Sequence, residues 1–171
     1  MKRIGLLSDT HGFIHPRLGQ IFGECDEIWH AGDFGNIGTV EKLQAIKPLR
    51  GVFGNIDGHD IRIVFPKYLR FFCEEVDVLM THIGGYPDNY APDVRSMLAT
   101  KPPRLFISGH SHILKVQFDK RFNLLHINPG AAGRNGLHKV ITMVRFTIDG
   151  HDIRDLEIVE NDRKDLSRAG D

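Results

Sequence analysis

Short apolar runs, each stopped by a polar or glycine-containing step, recur along the first two-thirds of the chain. Arg3 to Ser8, Glu27 to His30, Arg50 to Phe53, Val76 to Met80 and Leu105 to Ile107 read as strands, most of them apolar enough to be buried on both faces. Between them the period changes. Pro16 opens a predicted helix carrying Leu18, Ile21 and Phe22, and Val40, Leu43 and Ile46 recur at helical spacing behind Thr39 as cap. Pro92 starts another helix through Met97 and Leu98. Phe71 to Cys73 is an edge-strand candidate within the less patterned region from Ile61 to Phe72. Lys115 to Asp119, Asn123 to Ile127, Lys139 to Thr147 and Asp152 to Val159 then follow strand on strand. A mixed α/β sheet system with helices outside fits this order better than a simple doubly wound fold.

Length and composition narrow the reading. The 171 residues suit a single domain, taken as residues 1–160, with a charged tail at residues 161–171. Lys plus Arg and Asp plus Glu number 22 each, so no overall field draws the chain to nucleic acid or to an anionic membrane. No run approaches the roughly 20 apolar residues of a membrane span. Cys25 and Cys73 form no close-spaced metal motif and read as reduced, buried thiols. A soluble, cytoplasmic protein is expected, and a homo-oligomer is compatible with the chain.

Chemistry concentrates where the strands stop. Asp9-Thr10-His11, Gly32-Asp33, Gly54-Asn55, Thr81-His82 and Gly109-His110-Ser111-His112 each follow an apolar run. Singly, each is an ordinary turn, cap or structural histidine. In open α/β sheets, however, ligands gather beyond the carboxyl ends of strands, where these segments converge. On extended backbone, an Asp-x-His or His-x-His step points both side chains the same way, so each pair can chelate. Carboxylate, imidazole and amide oxygen without thiolate suit an open site for Mn²⁺, Fe²⁺, Co²⁺, Ni²⁺ or Zn²⁺.

These motifs together resemble the calcineurin-like metallophosphoesterase superfamily, in particular its small single-domain bacterial and archaeal phosphodiesterases. The resemblance covers roughly residues 1 to 160. It implies a four-layer αββα sandwich, two mixed β-sheets flanked by helices. It also implies two divalent cations, Mn²⁺ first among the candidates: Asp9, His11 and His112 at one, Asn55, His82 and His110 at the other, and Asp33 bridging. Ile127-Asn128-Pro129-Gly130 resembles a motif of this branch that shapes the site wall. Larger phosphatases of the superfamily follow the Asn ligand with a histidine that protonates the leaving group. Here Ile56 stands there, and the small branch also lacks that histidine; Asp57, His59 or a metal-bound water become candidates for the acid.

The implied function is hydrolysis of a small phosphodiester by in-line attack of a metal-bridging hydroxide, with Asp33, Asn55 and His82 central to catalysis. Asn55, Asp57 and Arg134 are candidate substrate contacts, and residues Gly84 to Pro92 a candidate rim. His30 is placed behind the ligands, orienting one of them, and Trp29 in the core. Two alternatives stand beside this reading. One is a non-catalytic protein-binding scaffold of the same fold, as in a eukaryotic retromer subunit that has lost part of the ligand set. The other is a phosphomonoesterase.

Overall fold

The computed structural model describes residues 1–163. In chain order the elements are β1 (Lys2–Leu7), α1 (Leu18–Ile21), β2 (Glu27–His30), α2 (Ile37–Ile46), β3 (Leu49–Gly51), α3 (His59–Arg62), β4 (Tyr68–Cys73) and β5 (Val76–Thr81). They continue with β6 (Gly85–Tyr86), β7 (Asn89–Tyr90), α4 (Pro92–Thr100), β8 (Leu105–Ile107), β9 (Leu114–Asp119), β10 (Leu124–Pro129), β11 (Val140–Asp149) and β12 (Asp152–Asp162).

The strands form two five-stranded mixed sheets, ordered β12-β11-β1-β2-β3 and β4-β5-β8-β10-β9. The continuous apolar runs sit in the parallel parts, β1-β2-β3 and β5-β8-β10. Alternation along each strand sorts its side chains between two layers. Ile4, Leu6, Trp29, Val78, Met80, Leu105, Ile107 and Ile127 meet between the sheets. Leu7 and Ile28 face outward against Leu18 and Phe22 near α1, and against Val40 and Leu43 of α2. Leu79 and Phe106 face the other way, against Val94 and Leu98 of α4. The result is the expected sandwich, with an apolar layer between the sheets and one under the helices on each side. At Gly5 a Cβ would lie 2.7 Å from the Phe22 ring, so only glycine lets the chain segment after α1 close on β1.

Several local features differ from the sequence reading. The cap of α2 is Asn36, whose side chain accepts from the Thr39 amide, so the helix begins earlier than a Thr39 cap would allow. The edge strand expected at Phe71–Cys73 is present but begins at Tyr68, as β4, its partly exposed residues blurring the alternation, and the single turn α3 overlaps the start of the weakly patterned stretch. The glycine-rich stretch after His82 forms the β6–β7 hairpin, with Tyr90 turned into the outer core and its hydroxyl donating to Asp119. The expected tail begins inside β12, where Asn161 and Asp162 pair with Ile141 and Val140; residues from 164 onward lie outside the described residues. Cys25 and Cys73 are buried free thiols in different layers. Among the described residues no helix is long and apolar enough to cross a membrane.

One buried group gives this fold a pH dependence. His126 on β10 is fully buried, with its ring stacked on Phe106 at 5.4 Å. Burial pushes its pKa down from the ordinary 6.5 to about 4. The unfolded chain therefore binds a proton that the folded chain refuses between those values. Stability falls as pH falls through that window and is unaffected by this group above it. His126→Phe is expected to shrink the loss between pH 7.5 and 4.5 by roughly 2 kcal/mol, read from urea midpoints at both pH values. An equal pH loss in variant and parent would rule the assignment out.

Candidate metal centre

The motif segments lie just past the C-terminal ends of five strands, β1, β2 and β3 of one sheet and β5 and β8 of the other. There the side chains assemble into two groups: Asp9, His11 and His112, and Asp33, His82 and His110. Within each group the ligand atoms all lie within 4.8 Å of one another. Each group takes residues from both sheets.

The backbone that presents them is not extended. Asp9 (φ 54°), His11 (46°), Asp33 (60°), His110 (69°) and His112 (59°) all occupy the left-handed region. That region costs a non-glycine residue on the order of 1 kcal/mol or more, and Asp and His tolerate it better than most. The expectation of extended chelating steps is therefore corrected: the chain coils sharply at each ligand, and neighbouring loops brace the coil. The amides of Asp9, His11 and Gly12 donate to the carbonyls of Gly32, Asp33 and Phe34 at 2.8–3.1 Å, zipping the first two ligand loops together. Gly54 packs so closely that an added Cβ would fall 1.9 Å from Asp33 Oδ1.

Each carboxylate is held by one oxygen and leaves the other for the centre. Asp9 Oδ2 accepts from the Ser8 hydroxyl at 2.7 Å and from the His110 amide at 3.1 Å. Asp33 Oδ1 accepts from the Ile56 amide at 3.1 Å. Asp9 Oδ1 lies 3.2 Å from His112 Nε2, and Asp33 Oδ2 lies 3.1 Å from His82 Nε2 and 3.5 Å from His11 Nε2. His82 Nδ1 donates to the Ala31 carbonyl at 2.7 Å, which fixes its tautomer with Nε2 unprotonated in the neutral ring. Asp9 Oδ1, His11 Nε2 and His82 Nε2 are buried without a well-formed hydrogen bond among the described residues. Such atoms are costly unless something else satisfies them, and imidazole nitrogens around free carboxylate oxygens are the donor set a divalent cation takes. The residues fit the metals.

The same contacts govern protonation. Burial pushes the Asp9 carboxyl up, but His112, His82 and Ser8 outweigh it and hold it below the ordinary range. Burial likewise raises Asp33, and His82 more than reverses it. Burial pulls His82 down, yet Asp33 and Asp9 carry it above 6.5; the Asp9 contact raises His112. Cations must displace these protons, so metal affinity falls as pH drops.

Other residues support the ligands. His30 is fully buried; its Nδ1 accepts from the Gly32 amide at 3.1 Å, so Nε2 donates to the Thr10 hydroxyl at 2.9 Å. Burial drives its pKa to about 3, and the neutral ring braces the Asp9 and Asp33 loops together. Asn128 donates to the Gly109 carbonyl and the Ser111 hydroxyl, fastening the turn that carries His110 and His112.

Asp57 is placed differently from expectation. Its buried carboxylate accepts from the amides of Phe34 (3.2 Å), Gly35 (2.9 Å) and Gly54 (2.8 Å), so both oxygens are engaged in anchoring the Asp33 loop to the Asn55 loop. An Asp two residues after a Gly-Asn turn is the signal for this role, since it can accept back onto the turn's own amide. His59 is exposed at the start of α3. Asn55 is exposed beside Asp33. The Arg134 guanidinium lies over the Phe13 ring, 4.2 Å away. His138, which lies outside every motif and reads from sequence as a surface or hydrogen-bonded structural histidine, has Nε2 2.8 Å from the Gly133 carbonyl and its ring edge-on to His112 at 5.3 Å. Ile56, Ile83 and Ile113, each directly after a candidate ligand, are exposed at the rim.

Comparison with known proteins identifies the fold and the family. A curated relative from Methanothermobacter thermautotrophicus, named "Probable metallophosphoesterase", is 29% identical over 163 residues, covering 91% of each chain. Among solved structures, Vps29 of Chaetomium thermophilum superposes with a TM-score of 0.73 at 15% identity, covering 95% of this chain and 99% of its own. A structure described as a novel archaeal phosphodiesterase superposes with a TM-score of 0.71 at 18% identity, covering 92% and 99%. Residues 1–151 match the calcineurin-like phosphoesterase superfamily domain, and the chain belongs to that superfamily.

Proposed function

We propose that the protein is a dinuclear metal-dependent phosphodiesterase. The observation that carries this is the position of Asp33 Oδ2, which lies within 3.5 Å of a histidine nitrogen from each three-residue group. One carboxylate oxygen set between two ligand groups is the arrangement of a bridging ligand. Asp9, His11 and His112 would then hold one cation and His82, His110 and Asn55 the other, with Mn²⁺ the first candidate and Ni²⁺, Fe²⁺, Co²⁺ or Zn²⁺ the others.

Bound there, two divalent ions supply Lewis-acid activation of water and compensate charge on the phosphoryl oxygens. The chain's own contribution is placement. Ser8, Ile56 and the Ala31 carbonyl lock Asp9, Asp33 and His82 into single orientations before any substrate arrives. Charge favours a diester. Two divalent ions against Asp9 and Asp33 leave about two positive charges, which a hydroxide and a monoanionic diester balance, whereas a dianionic monoester overshoots. The archaeal phosphodiesterase of like fold adds support.

The test strips the protein of metal, adds back each cation, and compares bis(p-nitrophenyl) phosphate with p-nitrophenyl phosphate. Metal-dependent turnover is expected, with higher kcat/KM for the diester. Equal or better turnover of the monoester would replace the diester reading with a phosphomonoesterase. Folded, metal-loaded protein inert to both would favour the scaffold reading, to which the Vps29 likeness also leads.

A further inference from the structure

Beside His82 and Asn55 a cleft of about 260 Å³ opens between Phe53, Arg62, Lys67 and Ile83. It is smaller than the roughly 300–1,000 Å³ of sites that enclose a whole drug-sized ligand, so it suits one arm of a substrate whose phosphate lies at the metals. Its walls are built rather than incidental. The Phe53 amide donates to the Pro66 carbonyl at 3.1 Å, and the Thr81 hydroxyl donates to the Lys67 carbonyl at 3.0 Å, which ties the Lys67 segment to the ends of β3 and β5.

The cleft is cationic in a protein with no net charge. Arg62 stacks over Phe53 at 4.5 Å, and its Nε and Nη2 donate to the carbonyls of Asp57 and Asn55 at 2.6 and 3.2 Å. These partners carry no net charge, so the guanidinium is oriented without being neutralised. Lys67 stands across from it with a side chain 61% exposed. The opposing acid is Asp93, 3.8 Å from the Lys67 ammonium, and Asp93 also takes a hydrogen bond from the Tyr68 hydroxyl. Of the two cations Asp93 sits against Lys67 alone, so the guanidinium of Arg62 leaves the wall net positive, backed by the apolar surfaces of Phe53 and Ile83.

We propose that this cleft selects phosphodiesters whose second ester arm carries its own negative charge. The inference rests on the phosphodiesterase reading and adds the substrate class to it. The fixed Arg62 and the exposed ammonium of Lys67 bind the arm's anionic group, and its carbon chain lies along Phe53 and Ile83.

Three matched p-nitrophenyl phosphodiesters test it, their second arm ethyl, 2-carboxyethyl or 2-(trimethylammonio)ethyl. The metal-loaded protein is expected to favour the carboxyethyl ester over the ethyl ester by about ten-fold in kcat/KM and to disfavour the cationic one. Lys67→Gln should reduce the anionic-to-neutral ratio several-fold, and Lys67→Glu should invert it. Equal turnover of all three esters, or a preference for the cationic arm, would overturn the inference while leaving diester hydrolysis intact. If none is hydrolysed, the phosphodiesterase reading fails and binding decides the cleft alone. Amide shifts at Ile83 and Lys67 on titration with 2-carboxyethyl phosphate, larger than with ethyl phosphate, support it; equal shifts overturn it.

Discussion

Asp33→Ala is expected to lower metal-dependent turnover by about 10³-fold or more, beyond the roughly 10–100-fold that follows loss of a supporting outer residue. The side chain is almost fully buried, and its two oxygens have separate tasks. Oδ1 accepts the Ile56 amide, whereas Oδ2 lies between His82 and His11. Removing the carboxylate orphans one amide, which costs about 1–3 kcal/mol and leaves the sandwich folded. If Asp33 bridges as proposed, the same change takes a negative charge and a shared ligand from both ion positions. Metal content by mass spectrometry should fall from two ions per chain to one or fewer, in parallel with activity. A variant that kept two ions and turned over within ten-fold of the parent would dismiss Asp33 as the bridge.

The second large effect is structural in origin. Asp57→Ala should destabilise the protein by about 2–6 kcal/mol, because the two buried amides of Phe34 and Gly54, and the more exposed one of Gly35, lose their acceptor together. Phe34 follows Asp33 directly, and Gly54 touches Asp33, so the loss also loosens the ligand next door. Activity should therefore fall along with the urea midpoint. Asp57→Asn keeps one carbonyl oxygen and should sit between parent and Ala in both measurements. Full stability with only activity lost would instead return Asp57 to the role of proton donor.

The contrast between these two carboxylates shows what a sequence can disclose here. Asp33 was recognisable because it ends an apolar run, in step with four other strand ends. Asp57 lies in the same loop system and reads as equally available: the turn before it hints at the bond back to the Gly54 amide, but its other two partners are amides 22 and 23 residues away, which no local pattern discloses. The central strands are readable for the same reason as the ligands: β1, β2, β5 and β8 are mostly buried on both faces and each carries an apolar run up to its ligand-bearing end. The β4 edge, the one-turn α3 and the two-residue strands β6 and β7 were not, being too exposed or too short to show a period. The left-handed turns at five ligands were equally hidden. Those conformations are imposed by the zipped loops and the packed glycines around them, not by the Asp and His residues that adopt them.

Each ligand group draws on both sheets, and that has a kinetic consequence. No single hairpin or βαβ segment contains a complete set, so an ion finds its full coordination only after the two sheets have docked across the Ile4–Trp29–Met80–Ile107 layer. The metals therefore cannot organise the chain as it folds. Bound there, they would act as a latch closed last, leaving the rate of folding to the apolar layers and lengthening the lifetime of the native state once it forms.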